Sequence, residues 1–172
     1  MEVQELKKLI KEKKIPNFLI FTGEEYEIQH RYIKQIAKVT DRRTYYAEDI
    51  DEIWKELNNS SLFGDSRLYI LRDDKELLTN EKIYTRITDI LNDNMLILML
   101  TTLDKRLKML KQYKDSIVEF NALNDAMLKR YIQREIPLLS DRNCEILMEI
   151  CEHNYGHCLL EIDKIRRYAD ND

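Results

Sequence analysis

The sequence predicts an α/β domain, a five-stranded parallel sheet with helices on both faces, followed by a small three-helix domain. Three observations predict it. Five short apolar or β-branched runs alternate with amphipathic segments up to Asn121, and such alternation demands crossover connections, hence a parallel sheet covered on both sides. Several of these runs are apolar at every position, as strands buried on both faces are. After Asn121 the strand signals stop and only helical spacings remain. The boundary is placed there, giving an α/β domain over 1–121 and a helical domain over 122–172.

The elements follow in order. Val3, Leu6 and Ile10 recur at helical spacing among lysines, and Pro16 is expected to stop this first helix. Phe18 to Phe21 reads as a buried strand and Thr22-Gly23 as the turn after it, with Glu24 and Glu25 suited to a helix N-terminus. Ile33, Ile36 and Ala37 stripe that helix. A short strand over Thr44 to Tyr46 precedes a helix over Asp49 to Leu57, whose Ile50, Ile53, Trp54 and Leu57 share a side. Leu68 to Leu71 is the next buried strand, and Ile83, Ile87, Ile90 and Leu91 mark a helix after it. Met95 to Leu100 is the most apolar strand, Lys105 to Tyr113 reads as a basic helix, and Ile117 to Phe120 as the fifth strand. Beyond the boundary, Met127, Leu128, Tyr131 and Ile132 stripe one helix. Ser140 is suited to cap a second, carrying Cys144, Leu147, Met148 and Cys151, and Cys158, Ile162, Ile165 and Ala169 stripe a third.

Composition excludes whole classes. A chain of 172 residues buries about 70% of the surface its unfolded form exposes, so a full core is available. With 3 Gly and 2 Pro it is neither collagen-like nor low-complexity. The run from Met95 to Leu100 is far shorter than the roughly 20 residues a bilayer requires. The N-terminus has no apolar core of a secretory signal, and an odd number of cysteines argues for reduced thiols and a cytoplasmic location. With 28 Lys+Arg against 32 Asp+Glu, the domain-wide basic excess of a nucleic-acid-wrapping protein is missing.

The turn after the first strand is where a nucleotide-binding α/β domain builds its phosphate cradle, G-x-x-x-x-G-K-[ST]. Gly23 stands in place, but Glu24, Glu25, Tyr26 and Glu27 follow, Ile28 replaces the second glycine, Gln29 the lysine and His30 the hydroxyl. Carboxylates occupy the place where a triphosphate needs positive charge, so no nucleotide is expected. Asp73-Asp74 after a strand suggests a magnesium-binding pair, with an acidic loop as the simpler reading. Cys151, His153, His157 and Cys158 are ligand types, but their spacing lacks the two separated pairs of a zinc site, and core thiols flanking a turn are expected instead. No metal site and no nucleophilic triad emerge. Lys105, Arg106, Lys108, Lys111 and Lys114 form the densest basic segment, either a solvated face or a contact for DNA or a partner. Leu62-Phe63 stands inside the polar stretch Asn58 to Asp65, and two readings are open: a small contact with the body of the domain, or a plug for a partner's apolar pocket.

Several stretches, taken in order, resemble the delta subunit of the bacterial DNA polymerase III clamp loader. They are Leu19 to Tyr26, Ser61 to Arg72, Leu103 to Arg106 with Val118 to Phe120, and Tyr155 to Lys164. The resemblance implies an AAA+-like five-stranded parallel sheet with a degenerate P-loop and a three-helix lid. It further implies no catalytic residues, no ATPase activity and no cofactor. The partners it implies are the sliding clamp, gripped through Ser61, Leu62 and Phe63, other clamp-loader subunits, and primer–template DNA within the complex, in the cytoplasmic replisome and without a membrane. Members of that family carry a further helical collar domain that assembles the loader. This chain stops at Asp172, which is expected of a two-domain piece or a natural short form. The rival readings are an active ATPase of the same fold and a stand-alone DNA-binding or adaptor protein.

Overall fold

The computed structural model describes residues 1–60, 66–74, 76–80, 91, 93–104, 106–111 and 113–169. Five strands, β1 (Phe18–Thr22), β2 (Arg43–Ala47), β3 (Arg67–Arg72), β4 (Met95–Leu100) and β5 (Ile117–Glu119), form one sheet in the order β2-β3-β4-β1-β5. Every pairing is parallel; Ile20 stands opposite Leu98 on one side and Ile117 on the other. The runs that are apolar throughout take the centre: all residues of β1 and β4 are buried, whereas β2, with Arg43 and Thr44 exposed, lies at an edge.

Side chains alternate across the sheet and divide the core in two. On one face Phe18, Ile20, Tyr69, Leu71, Leu96 and Leu98 pack with Ile50 and Ile53 of helix α3 (Ile50–Ser60) and Leu77 and Leu78 of the short α4 (Glu76–Thr79). The alternate residues, Leu19, Phe21, Leu68, Ile70, Ile97 and Met99, are buried on the other face. There Phe120 bridges Phe21 (ring centroids 4.8 Å apart) and Tyr32 (5.7 Å) of α2 (Tyr26–Thr40). The first helix, α1 (Val3–Glu12), buries Leu6 and Ile10 and ends before Pro16 is reached, because Lys13 turns left-handed and its N–H satisfies the last carbonyls.

One expected element is corrected. Instead of a basic α-helix over Lys105 to Tyr113, the described residues form 3₁₀ turns at Lys108–Lys111 and Lys114–Ser116. Leu107, Leu110 and Tyr113 all pack on the core. Their three-residue spacing suits the three-residue turn of a 3₁₀-helix, which keeps all three on one side. The helix expected around Ile83, Ile87 and Ile90 lies outside the described residues.

The chain packs as two compact units, residues 1–24 with 29–120, and residues 25–28 with 121–172. The second unit holds three helices, α5 (Asp125–Glu135), α6 (Asp141–Ile150) and α7 (Tyr155–Ala169). Asn124 caps α5 by accepting from Met127 N (2.9 Å), and Ser140 caps α6 by accepting from Asn143 N (3.2 Å). Leu128, Ile132, Cys144, Met148, Cys151, Tyr155, Cys158 and Ile162 are buried in this unit. The stripe expected on α7 ends at Ile162. One turn on, Arg166 reaches the end of α5 through Glu135 O (2.7 Å), and Ile165 stays exposed. No helix among the described residues is long and apolar enough to cross a membrane.

Candidate functional site

In a parallel α/β sheet, ligands are bound at the carboxyl ends of the strands, where successive connections leave in opposite directions. Here that point is the end of β1, between β4 and β5. Gly23 sits there with φ of +116°; its N–H donates to Leu100 O (3.3 Å), and Phe120 N donates to Thr22 O (2.7 Å). A Cβ on Gly23 would stand 2.2 Å from Phe120 O, so the close approach of two backbones requires glycine. The glycine at this turn is thus explained by the close approach of two backbones.

Gln29 occupies the place of the P-loop lysine. It is fully buried, and its Nε2 donates to Gly23 O (3.0 Å), so the side chain that should reach a phosphate ties the turn to α2 instead. Its Oε1 has no hydrogen-bond partner among the described residues. Glu24 is exposed, Glu27 lies in the first turn of α2, and Tyr26 begins the helix. Glu25 belongs with the second unit, where its carboxylate accepts from Leu123 N (3.1 Å).

The acidic pair is likewise occupied. Asp73, left-handed at φ 54°, closes the end of β3 over that of β4: its N–H donates to Met99 O (2.8 Å), and its Oδ1 accepts from both the N–H and the Oγ1 of Thr101 (3.1 Å each). Asp74 accepts from Leu77 N (3.1 Å) and starts α4. Of the ligand types near residue 155, Cys151 and Cys158 are buried, while His153 lies outside on Asp125 (2.8 Å) and His157 is exposed. Burial pushes all three thiols up, Cys158 to about 12, which keeps them protonated. No group of three or more metal-ligating residues occurs among the described residues.

Ser61, Leu62, Phe63 and Lys105 lie outside the described residues, and so does the side chain of Lys108. Of the remaining basic segment, Lys111 and Lys114 are exposed. Arg106 is clasped by Asp104, with Nε to Oδ1 and Nη2 to Oδ2 both at 2.9 Å. That guanidinium, with the Arg106 N–H, holds the Asp104 carboxyl at about 2. A second basic stretch, spanning α2 and β2, carries no recognised motif. Its signal was local: from Ile28 to Ala47 there are five Lys or Arg against one acid, Asp41.

The five-stranded parallel sheet in the order β2-β3-β4-β1-β5, followed in the chain by three helices, is an AAA+-like fold. No family model matches the sequence, and no curated protein matches it. Among solved structures, the DNA clamp loader delta protein (YqeN) of Bacillus subtilis is similar over 97% of this chain and 57% of its own, with a TM-score of 0.61 and 15% identity. Two mutants of RuvB from Thermotoga maritima are similar over 96% of this chain and 59% and 60% of theirs, each with a TM-score of 0.60 and 13% identity. The chain therefore spans less than two thirds of the length of these neighbours, and the likeness is one of fold.

Proposed function

We propose that this chain is a non-catalytic subunit of a DNA polymerase III clamp loader, which binds the sliding clamp and opens it for loading onto DNA. The observation that carries this reading is the state of the nucleotide corner: Gln29 bonds back to Gly23 O, and Asp73 is held by Thr101, in a fold shared with a clamp loader delta protein. Clamp binding is assigned to Ser61, Leu62 and Phe63, which fall in the chain between α3 and β3. Other loader subunits and primer–template DNA are the further partners this reading implies.

Burying a side chain the size of Leu or Phe in a partner's pocket is worth roughly 1.5–3 kcal/mol, so the pair accounts for about two to four powers of ten in affinity. Changing both Leu62 and Phe63 to Ala is expected to abolish detectable clamp capture while leaving the melting temperature nearly unchanged. Core residues would instead cost several kcal/mol of stability through the cavities left. A double variant that melts much earlier, or that captures the clamp normally, ends this assignment.

A further inference from the structure

We infer that the β2 edge of the sheet, with the adjoining face of α2, is a contact surface for single-stranded nucleic acid. The chain as a whole is acidic, yet Ile28 to Ala47 holds five Lys or Arg and one acid, leaving 23 Lys+Arg against 31 Asp+Glu elsewhere. His30, Lys34 and Lys38 follow at four-residue intervals along one face of α2. That face adjoins β2, because the His30 ring lies 6.2 Å from the ring of Tyr46, the two inclined at 42°. Tyr46 is 55% exposed on an edge strand, and Arg43 and Thr44 are exposed beside it.

On this surface exposed cations lie beside an exposed aromatic ring on an edge strand. Two of the five cations in this stretch are engaged, Arg31 and Arg42, the latter donating to Asp93 O (3.4 Å). Lys34, Lys38 and Arg43 are exposed and make no ion pair among the described residues. Unpaired cations beside an exposed aromatic ring suit a phosphate backbone whose bases are free to stack, since an aromatic platform needs an unpaired base. A duplex presents no such base. The inference does not rest on clamp binding, and an oligonucleotide assay without clamp keeps the two apart.

The test is fluorescence anisotropy of the whole chain with a labelled twenty-residue oligothymidylate and with a duplex of equal length, over a range of salt. Expected is binding of the single strand in the roughly 10⁻⁴–10⁻⁶ M range that non-specific contacts give, and weaker binding of the duplex. The double change of Lys34 and Lys38 to Gln should flatten the salt slope by about 1.4, two phosphates at about 0.7 each. Tyr46→Ala should weaken binding at least about fivefold with the slope unchanged, and Tyr46→Phe should restore it. Changing Lys111 and Lys114 to Gln should have no effect. Photo-crosslinking of the unaltered chain to an iodouracil-containing strand should label Tyr46 or His30, a readout that does not depend on how the variants fold. No binding, equal affinity for duplex, an equal loss from the Lys111 and Lys114 pair, or crosslinks confined to other elements would each overturn the inference.

Discussion

Two of the chain's three glycines have contrasting surroundings, which makes them a direct test of the backbone packing at the turn after β1. At Gly23 an added Cβ meets backbone, Phe120 O, and φ is one that other residues rarely adopt. Neither strand end can retreat without breaking the Phe120–Thr22 hydrogen bond. Gly23→Ala should therefore cost about 2–3 kcal/mol, read as a lower urea midpoint. At Gly156, a Cβ would meet the Asn154 Oδ1 at 3.2 Å and the Glu27 Cγ at 3.5 Å, both on side chains that can move. Gly156→Ala should stay within about 1 kcal/mol, since the gain in helix propensity offsets the crowding. The Asp104 carboxyl, held at about 2 by Arg106, offers a second check at this scale. A depressed carboxylate contributes stability that is present above its unfolded value near 3.8 and is lost as pH falls toward 2. Its NMR titration should accordingly have a midpoint near 2, and the midpoint should return toward 3.8 in Arg106→Gln.

Elements differ in how far the sequence reveals them. The strand over Met95 to Leu100 is legible residue for residue, because a run apolar at every position between polar neighbours has nowhere to go but a sheet interior. The 3₁₀ turns after Asp104 were not legible: Leu107, Leu110 and Tyr113 are spaced for a three-residue turn, yet the same residues also fit the face of an α-helix, and only packing against the sheet decides. That position 29 holds Gln is plain in the sequence, but its bond to Gly23 O depends on where β1 and α2 meet in space. The basic face of α2 carries no motif, and that it adjoins β2 depends on the His30–Tyr46 ring contact, which only the fold brings about. The α5–α7 bundle gives a prediction at this level. Its thiols are raised by burial, Cys158 to about 12, so the folded bundle favours the protonated form. Stability from this source is full below the unfolded value near 9 and declines as pH rises from 9 toward 12. Urea melts followed by helical circular dichroism should show that decline, and a thiol reagent at pH 8 should label Cys144, Cys151 and Cys158 only once the bundle unfolds.

For the molecule as a whole, the polar groups at the carboxyl end of the sheet are bonded to one another: Gln29 to Gly23 O, and Asp73 to Thr101. A nucleotide entering there would have to break those bonds and also face the exposed Glu24. We therefore expect the fold to be indifferent to nucleotide. A ligand present at 100 times its Kd stabilises by about 2.7 kcal/mol, and in a chain of this length each kcal/mol raises Tm by roughly 2–4 °C. Millimolar Mg-ATP acting on a site with a Kd of about 10 μM would thus raise Tm by roughly 5–10 °C, a shift that thermal denaturation detects easily. The expected shift is none. Restoring the lysine alone should not create a site either. Gln29→Lys loses the bond to Gly23 O, places an ammonium group in a fully buried position and leaves the acidic residues in place. It should melt earlier than the parent chain and remain unresponsive to Mg-ATP. A parent chain that melts several degrees higher with Mg-ATP would show that the corner can open, and would return the active ATPase reading to first place.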